Sequence, residues 1–275
     1  MAKQTLALPK LQKYLEVFRI SFKMQITWRF DVAMTMVATI CRILAGWILW
    51  QAIFSSRSMV KGFSFQAMLS YYILSSILAS IDFSYQISGE VSDLIRGGRF
   101  SGHMVTPMNP LAFFASMTAG VSAFHLGFSL LSALICIVAF RINVAIANDL
   151  GCVFLGIAMV PIGLAFMACY HYLIGVLTFK FLEIGWFMHV QGSIIAFATG
   201  SLVPLSLLPD SAVLVLRFFP FTHVVYTPVM LLCGRMGIQE GLFSLGLMAA
   251  WTLAMLAIAQ YAYSHLRVKY DGVGI

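Results

Sequence analysis

The chain has 275 residues, 61% of them hydrophobic and only 10% charged, a balance that excludes an ordinary water-soluble domain. Its net charge of +7 does not read as a nucleic-acid surface. The basic residues crowd the N-terminus (Lys3, Lys10, Lys13, Arg19, Lys23, Arg29), where a membrane protein meets anionic lipid and the cytoplasm.

Pro9–Phe30 comes first, with Leu11, Leu15, Phe18, Phe22 and Ile26 recurring at three or four residues. That spacing predicts an amphipathic helix at the inner interface, with Lys13, Glu16 and Lys23 on the other face. The alternative is the ordinary basic flank of a first span. The polar start precedes the first long apolar stretch, so no cleavable signal peptide is expected.

Stretches of twenty or more apolar residues then recur, and a bilayer core of about 30 Å takes about 20 helical residues per crossing. Six spans are expected, at Val32–Phe54, Phe65–Ile87, Leu111–Phe140, Leu150–Phe179, Trp186–Val203 and Leu242–His265. The fold class is an all-α membrane protein, read as one membrane domain over residues 1–275. The basic N-terminus, Arg96, Arg99, Lys180, Arg267 and Lys269 fall on one side of such a topology, which predicts that both termini are cytoplasmic.

Two segments outside the spans have their own character. Gly89–Pro110, GEVSDLIRGGRFSGHMVTPMNP, is too polar and short to cross. It predicts a short helix at Glu90–Ile95, a Gly97–Gly98 break, and prolines that stop any helix before the third span. Gly200–Arg235 is apolar but punctuated by Pro204, Pro209, Pro220 and Pro228. Its short pieces predict re-entrant or interfacial helices on the outer side, within residues 203–235.

No enzyme centre emerges. The phosphate-cradling GxxxxGK[ST] pattern is missing. Ser193 and Ser201 have no base to activate them, and His125, His171 and His189 lie on separate spans without metal-ligand spacing. The five cysteines show no CxxC pattern and read as small core hydrophobes.

Intramembrane polar residues carry more. Arg42 lies mid-span, where a lone charge costs a few kcal/mol or more, and Asp82 lies in the inner half of the next span. The leading reading is a structural Arg42–Asp82 pair; snorkelling, or pairing with another subunit, stays open. Tyr72, Ser76, Ser80, Ser84 and Ser88 recur every four residues as a stripe turned from Asp82. Such a stripe either permits close helix packing or lines a translocation path. Gly192, Ala196 and Gly200 form a small-residue ridge, read as a packing face.

Taken in order, these features resemble the membrane-spanning subunits of type-2 ABC transporters, the export permeases with six spans. The loop Gly89–Pro110 looks like the family's G-x-I-x-x-x-L-x-x-G-x-F-x-x-x-L-x-x-P pattern. The hairpin with Pro204, Leu207, Leu208, Pro209, Phe219–Pro220–Phe221 and Pro228, and the tail Arg267–Lys269–Tyr270–Asp271–Gly272, are similar too. The resemblance implies dimerisation with an identical or sister permease, and binding of a separately encoded ATPase that holds ATP and Mg, so this chain itself carries no cofactor. It implies residues 89–110 as the cytoplasmic coupling loop, with Glu90, Asp93, Leu94, Arg96 and Arg99 at the ATPase contact. It favours a path past Tyr72, Ser76, Ser80 and Ser84, and an exit closed by Leu202–Leu232. The expected location is the bacterial plasma (inner) membrane, and the expected cargo is hydrophobic or amphipathic: drug, lipid, peptide or glycoconjugate. An ion-gradient transporter is the rival, but Asp82 is the only candidate acid within a span and no inverted repeat is visible. A polytopic membrane enzyme is a further alternative.

Overall fold

The computed structural model describes residues 10–27, 29–181 and 183–269. The tail expectation at Tyr270–Gly272 and the basic residue Lys3 lie outside them. The chain is helical, with long helices at α1 (Lys10–Met24), α2 (Arg29–Phe54) and α3 (Phe65–Ile81). Next come α4 (Tyr85–Arg96), α5 (Ser101–Val105), α6 (Pro110–Phe140) and α7 (Leu150–Val176). The last four are α8 (Gly185–Ala198), α9 (Asp210–Leu216), α10 (Tyr226–Leu232) and α11 (Ile238–Leu266).

The helices start where the sequence offers caps. Ser64 Oγ accepts from Ala67 N, Asn109 Oδ1 from Ala112 N with Pro110 opening α6, and Asp149 Oδ1 from Gly151 N. Each satisfies one of the orphan donors of a helix N-terminus.

Five helical segments among the described residues are long and apolar enough to cross a membrane: Phe30–Phe54, Phe65–Arg96, Pro110–Phe140, Leu150–Phe179 and Ile238–Leu266. The expected fifth span, Trp186–Val203, is corrected. Helix α8 has 14 residues and rises about 21 Å, short of a full crossing. Gly200 ends it in the left-handed region at φ +73°, a conformation glycine adopts without a Cβ penalty. The chain is pinned there, because Tyr71 Oη donates to Gly200 O at 2.7 Å and Tyr226 N donates to Thr199 O at 3.0 Å. Beyond it, α9 and the Pro220–Leu232 segment meet at 86°, a broken path through the proline-punctuated region.

A second correction concerns residues 82–89. The second span does not run unbroken to Ile87. Within the Phe65–Arg96 segment, helix α3 stops at Ile81, Asp82 is extended (φ −85°, ψ 99°), and α4 starts at Tyr85. Asp82 Oδ1 accepts from Ser84 N at 2.9 Å, the local bond by which Asp diverts a backbone from the helical ladder. Gly89 therefore lies inside α4 and bounds nothing.

Neighbouring contacts fix directions. Tyr14 Oη accepts from Asn109 N, Gln25 Oε1 lies 3.3 Å from His125 Nε2, and the Trp47 and Phe140 rings lie 5.3 Å apart. Helices α1 and α2 thus both rise alongside α6. The first helix packs on α6 through Tyr14, Phe18, Ser21 and Phe22, while Leu11 (81% exposed) and Leu15 point away. The expected single apolar face is thus split between α6 and the surroundings. Gly120 permits this contact, since a Cβ there would run into the Phe18 carbonyl.

The far end, where α2 stops and α3 and α7 begin, is stapled by Ala145 N to Ser70 Oγ (2.8 Å), Ala147 N to Leu232 O (2.8 Å) and Arg235 Nη1 to Gly62 O (2.7 Å). One apolar core joins α3, α7 and α10 around Tyr71, Met159, Phe166 and Leu231. A second, at the opposite end, joins α4, α6, α7 and α11 around Ile87, Val91, Phe100, Phe114 and Tyr172.

Candidate functional site

Two places on this scaffold combine polarity with access. The first is the α4 end. Ile87, Val91 and Ile95 recur every four residues and are buried. They bring α4 so close to α7 that a Cβ on Gly175 would lie 2.7 Å from Val91 Cβ. The opposite face carries Glu90, Asp93 and Arg99, all exposed, while Leu94 and Arg96 are half-buried. Arg96 Nη2 donates to Asp93 Oδ1 at 2.7 Å and Nη1 to Glu183 Oε2 at 3.2 Å. The guanidinium thereby ties α4 to the turn between α7 and α8.

Glu183 was not singled out from the sequence, although it is the only acid between Asp149 and Asp210. Helix α4 ends at Gly97, Gly98 adopts φ +71°, and Phe100 N donates back to Leu94 O. That fold-back buries Phe100 beneath α5, where His103 lies among the rings of Phe100, Phe113 and Phe114. Burial lowers the His103 pKa. All five residues implied at the coupling contact lie on this one module.

The second place is a groove of about 360 Å³ lined by Arg42, Tyr72, Tyr85, His171 and the α8 side from Gly192 to Leu202. The expected Arg42–Asp82 pair is absent. No ion pair joins them among the described residues, and Asp82 instead holds the backbone of Ser84. The reason is the break after Ile81, which directs the Asp82 carboxylate to its own chain. Arg42 makes no hydrogen bond or ion pair among the described residues, and it shares the groove with Tyr72, whose ring lies over Gly46.

The hydroxyl stripe is dispersed. Tyr72 lines the groove; Ser76 is fully buried with Oγ unpartnered; Ser80 Oγ donates to Ser129 Oγ of α6 at 2.7 Å. Ser84, past the break, lines a separate apolar slot of about 670 Å³ between α3, α6 and α7. Ser88 Oγ lies 3.5 Å from His171 Nδ1. Tyr72, Ser76 and Ser80 lie on α3, where each step of four turns the stripe by about 40°, and the break after Ile81 separates Ser84 and Ser88 from them.

A family model described as ABC-2 family transporter protein matches residues 40–274. The chain belongs to the ABC-2 transporter family. It is a multi-pass membrane permease of the type-2 ABC class, a transport subunit rather than the ATPase, from a family that normally works with ATPase subunits. Comparison with curated proteins returns no match. The matched range starts inside α2, so α1 lies outside it.

Proposed function

We propose that the chain is the membrane-spanning half of an ATP-driven exporter in the bacterial inner membrane, with both termini in the cytoplasm. Two such permeases, identical or sister chains, pair with separate ATPase subunits that bind ATP and Mg and drive alternation between inward- and outward-open states. The cargo is hydrophobic or amphipathic and crosses beside the groove that holds Arg42 and Tyr72.

The observation that supports this best is the α4–α5 module. A short helix clamped to a span by one face, with an exposed acidic and basic face, is suited to dock in a groove of a soluble partner. Because α4 rests directly on α7, displacement of the module would be passed to a membrane helix rather than absorbed by a loose loop. Exposed ion pairs such as Arg96–Glu183 contribute little to stability, so Arg96 is free to serve recognition.

Glu90→Lys and Arg96→Glu, made in the permease co-expressed with its ATPase, test the reading. Each should leave the purified permease folded and lower ATPase co-purification or transport-linked ATP hydrolysis. Wild-type association and transport in both variants would exclude α4 as the coupling element.

A further inference from the structure

We infer that the groove beside α8 binds the acidic head of an amphipathic anion, such as a phosphate or carboxylate on an alkyl chain, with Arg42 as its counter-charge. This rests on the permease reading above and names the class of cargo for it.

The argument is a balance of charges. A guanidinium stays protonated at any accessible pH, and an uncompensated charge at bilayer depth is strongly disfavoured. Arg42 lies 13 residues beyond the start of the 26-residue α2, about 20 Å along the helix from either end. No carboxylate among the described residues pairs with it. Asp82 is engaged with Ser84 N, Glu16 with Arg19, and Asp93 and Glu183 with Arg96. Asp149 caps α7, Asp210 meets Lys61, and Glu240 meets Arg217. Asp31 and Glu90 form no ion pair with Arg42 either. The described residues leave this charge open to a negative group brought by a ligand.

The groove is shaped for it. Tyr72 and Tyr85 line the same cavity as Arg42 and carry hydroxyl donors, while Thr199 and Ser201, also in its lining, already donate theirs to Ala196 O. A guanidinium with hydroxyls around it suits an oxyanion, which Arg can engage through two parallel N–H donors. Met167, Ile195, Leu202 and Val225 supply apolar wall beside these donors. That combination selects a charged head with an attached chain over a free inorganic ion.

The test uses the full-length permease alone in a neutral detergent, titrated with decyl phosphate and read by the shift in its thermal unfolding midpoint. Decanol and inorganic phosphate serve as comparators. Decyl phosphate should bind and stabilise, and Arg42→Gln should weaken it about tenfold or more, the worth of a charge-assisted contact. Arg42→Lys should retain part of the affinity, because it keeps charge but loses the fork. Decanol should bind weakly and identically to wild type and variants. If Arg42→Gln does not fold, Tyr85→Phe, on the exposed rim, should weaken decyl phosphate by a smaller factor.

Three results overturn the inference: unchanged decyl phosphate affinity in Arg42→Gln, decanol binding as tightly as decyl phosphate, or inorganic phosphate matching it. A fourth is absence of binding with loss of the dimer in Arg42→Gln, which would assign the counter-charge to a second copy. No ATPase enters the assay, so failure of an ATPase to co-purify would remove the permease reading and leave this result standing.

Discussion

Helices α4 and α8 both flank α7 near the same end, yet they are held in opposite ways. The α4 contact is dense: three buried aliphatics, a glycine cut out of α7 to receive Val91, and a guanidinium tied across to Glu183. Helix α8 buries only Gln191, whose Oε1 accepts from Tyr170 Oη at 2.8 Å, with Ile195 partly buried against the core and Ala198 O accepting from Thr222 Oγ1. Trp186 (79% exposed), Val190, Ile194 and Phe197 face outward. In a membrane an apolar outer face needs no covering, since lipid is as apolar as leucine. The contrast shows which flank is rigid and which is left to lipid, cargo or a second copy.

One substitution made on both flanks breaks or sharpens that contrast. Gly175→Ala forces a methyl against Val91 and the Ser88 carbonyl, an overpacking that costs about 1–3 kcal/mol. Gly192→Ala, on α8, meets nothing within 4 Å and should be neutral or stabilising by up to about 1 kcal/mol, because alanine loses less entropy in a helix. Thermal unfolding of the two purified variants against wild type reads the difference. Equal shifts would mean that α4 is no more tightly held than α8.

A smaller effect probes the hinge where α8 ends. Tyr71 is fully buried and its hydroxyl holds Gly200 O. Tyr71→Phe leaves that carbonyl without its donor and should cost about 1–3 kcal/mol, toward the lower end if water reaches it. Single-cysteine accessibility at Ser201 should rise in the same variant. No change in either measurement would mean that the Tyr71 contact does not set the end of α8.

What the sequence discloses follows from how each signal arises. Span positions were readable because burial in lipid demands an unbroken apolar run, and five described segments lie where such runs lie. The end of α8 was not readable, since apolarity continues past Ala198 and only the contacts of Gly200 with Tyr71 and Tyr226 stop the helix. The residues proposed for coupling stand out as a set because they share one short polar stretch. Their tie to Glu183 was not, as it depends on where the turn after α7 is placed. The Arg42–Asp82 pair and the extension of the stripe to Ser84 and Ser88 presumed a continuous helix through residue 82. Asp followed two residues later by Ser, in an otherwise apolar run, was the available sign of a break.

That break makes Gly89 a further test of how α4 is built. If α4 runs through Gly89, with no atom within 4 Å of the Cβ site, Gly89→Ala should stabilise the protein by up to about 1 kcal/mol. A helix that began at Gly89 would gain little from the same change. A destabilised variant in thermal unfolding would contradict the continuous α4.

The smallest expected effect is a pH dependence at the same end. Burial among Phe100, Phe113 and Phe114 lowers the His103 pKa below its ordinary value, so the folded state favours the neutral ring more than the unfolded state does. For a base depressed in this way, stability is complete above the unfolded-state pKa of about 6.5 and falls as pH drops through it, because the unfolded chain then binds the extra proton. His103→Phe keeps the ring contacts and removes the proton site, so its unfolding midpoint should fall less than wild type between about pH 7 and pH 5. Parallel pH profiles for wild type and His103→Phe would show that the α5 rings do not exclude the charged imidazole. The aromatic cover of the α4 end would then be looser than the packing beneath it.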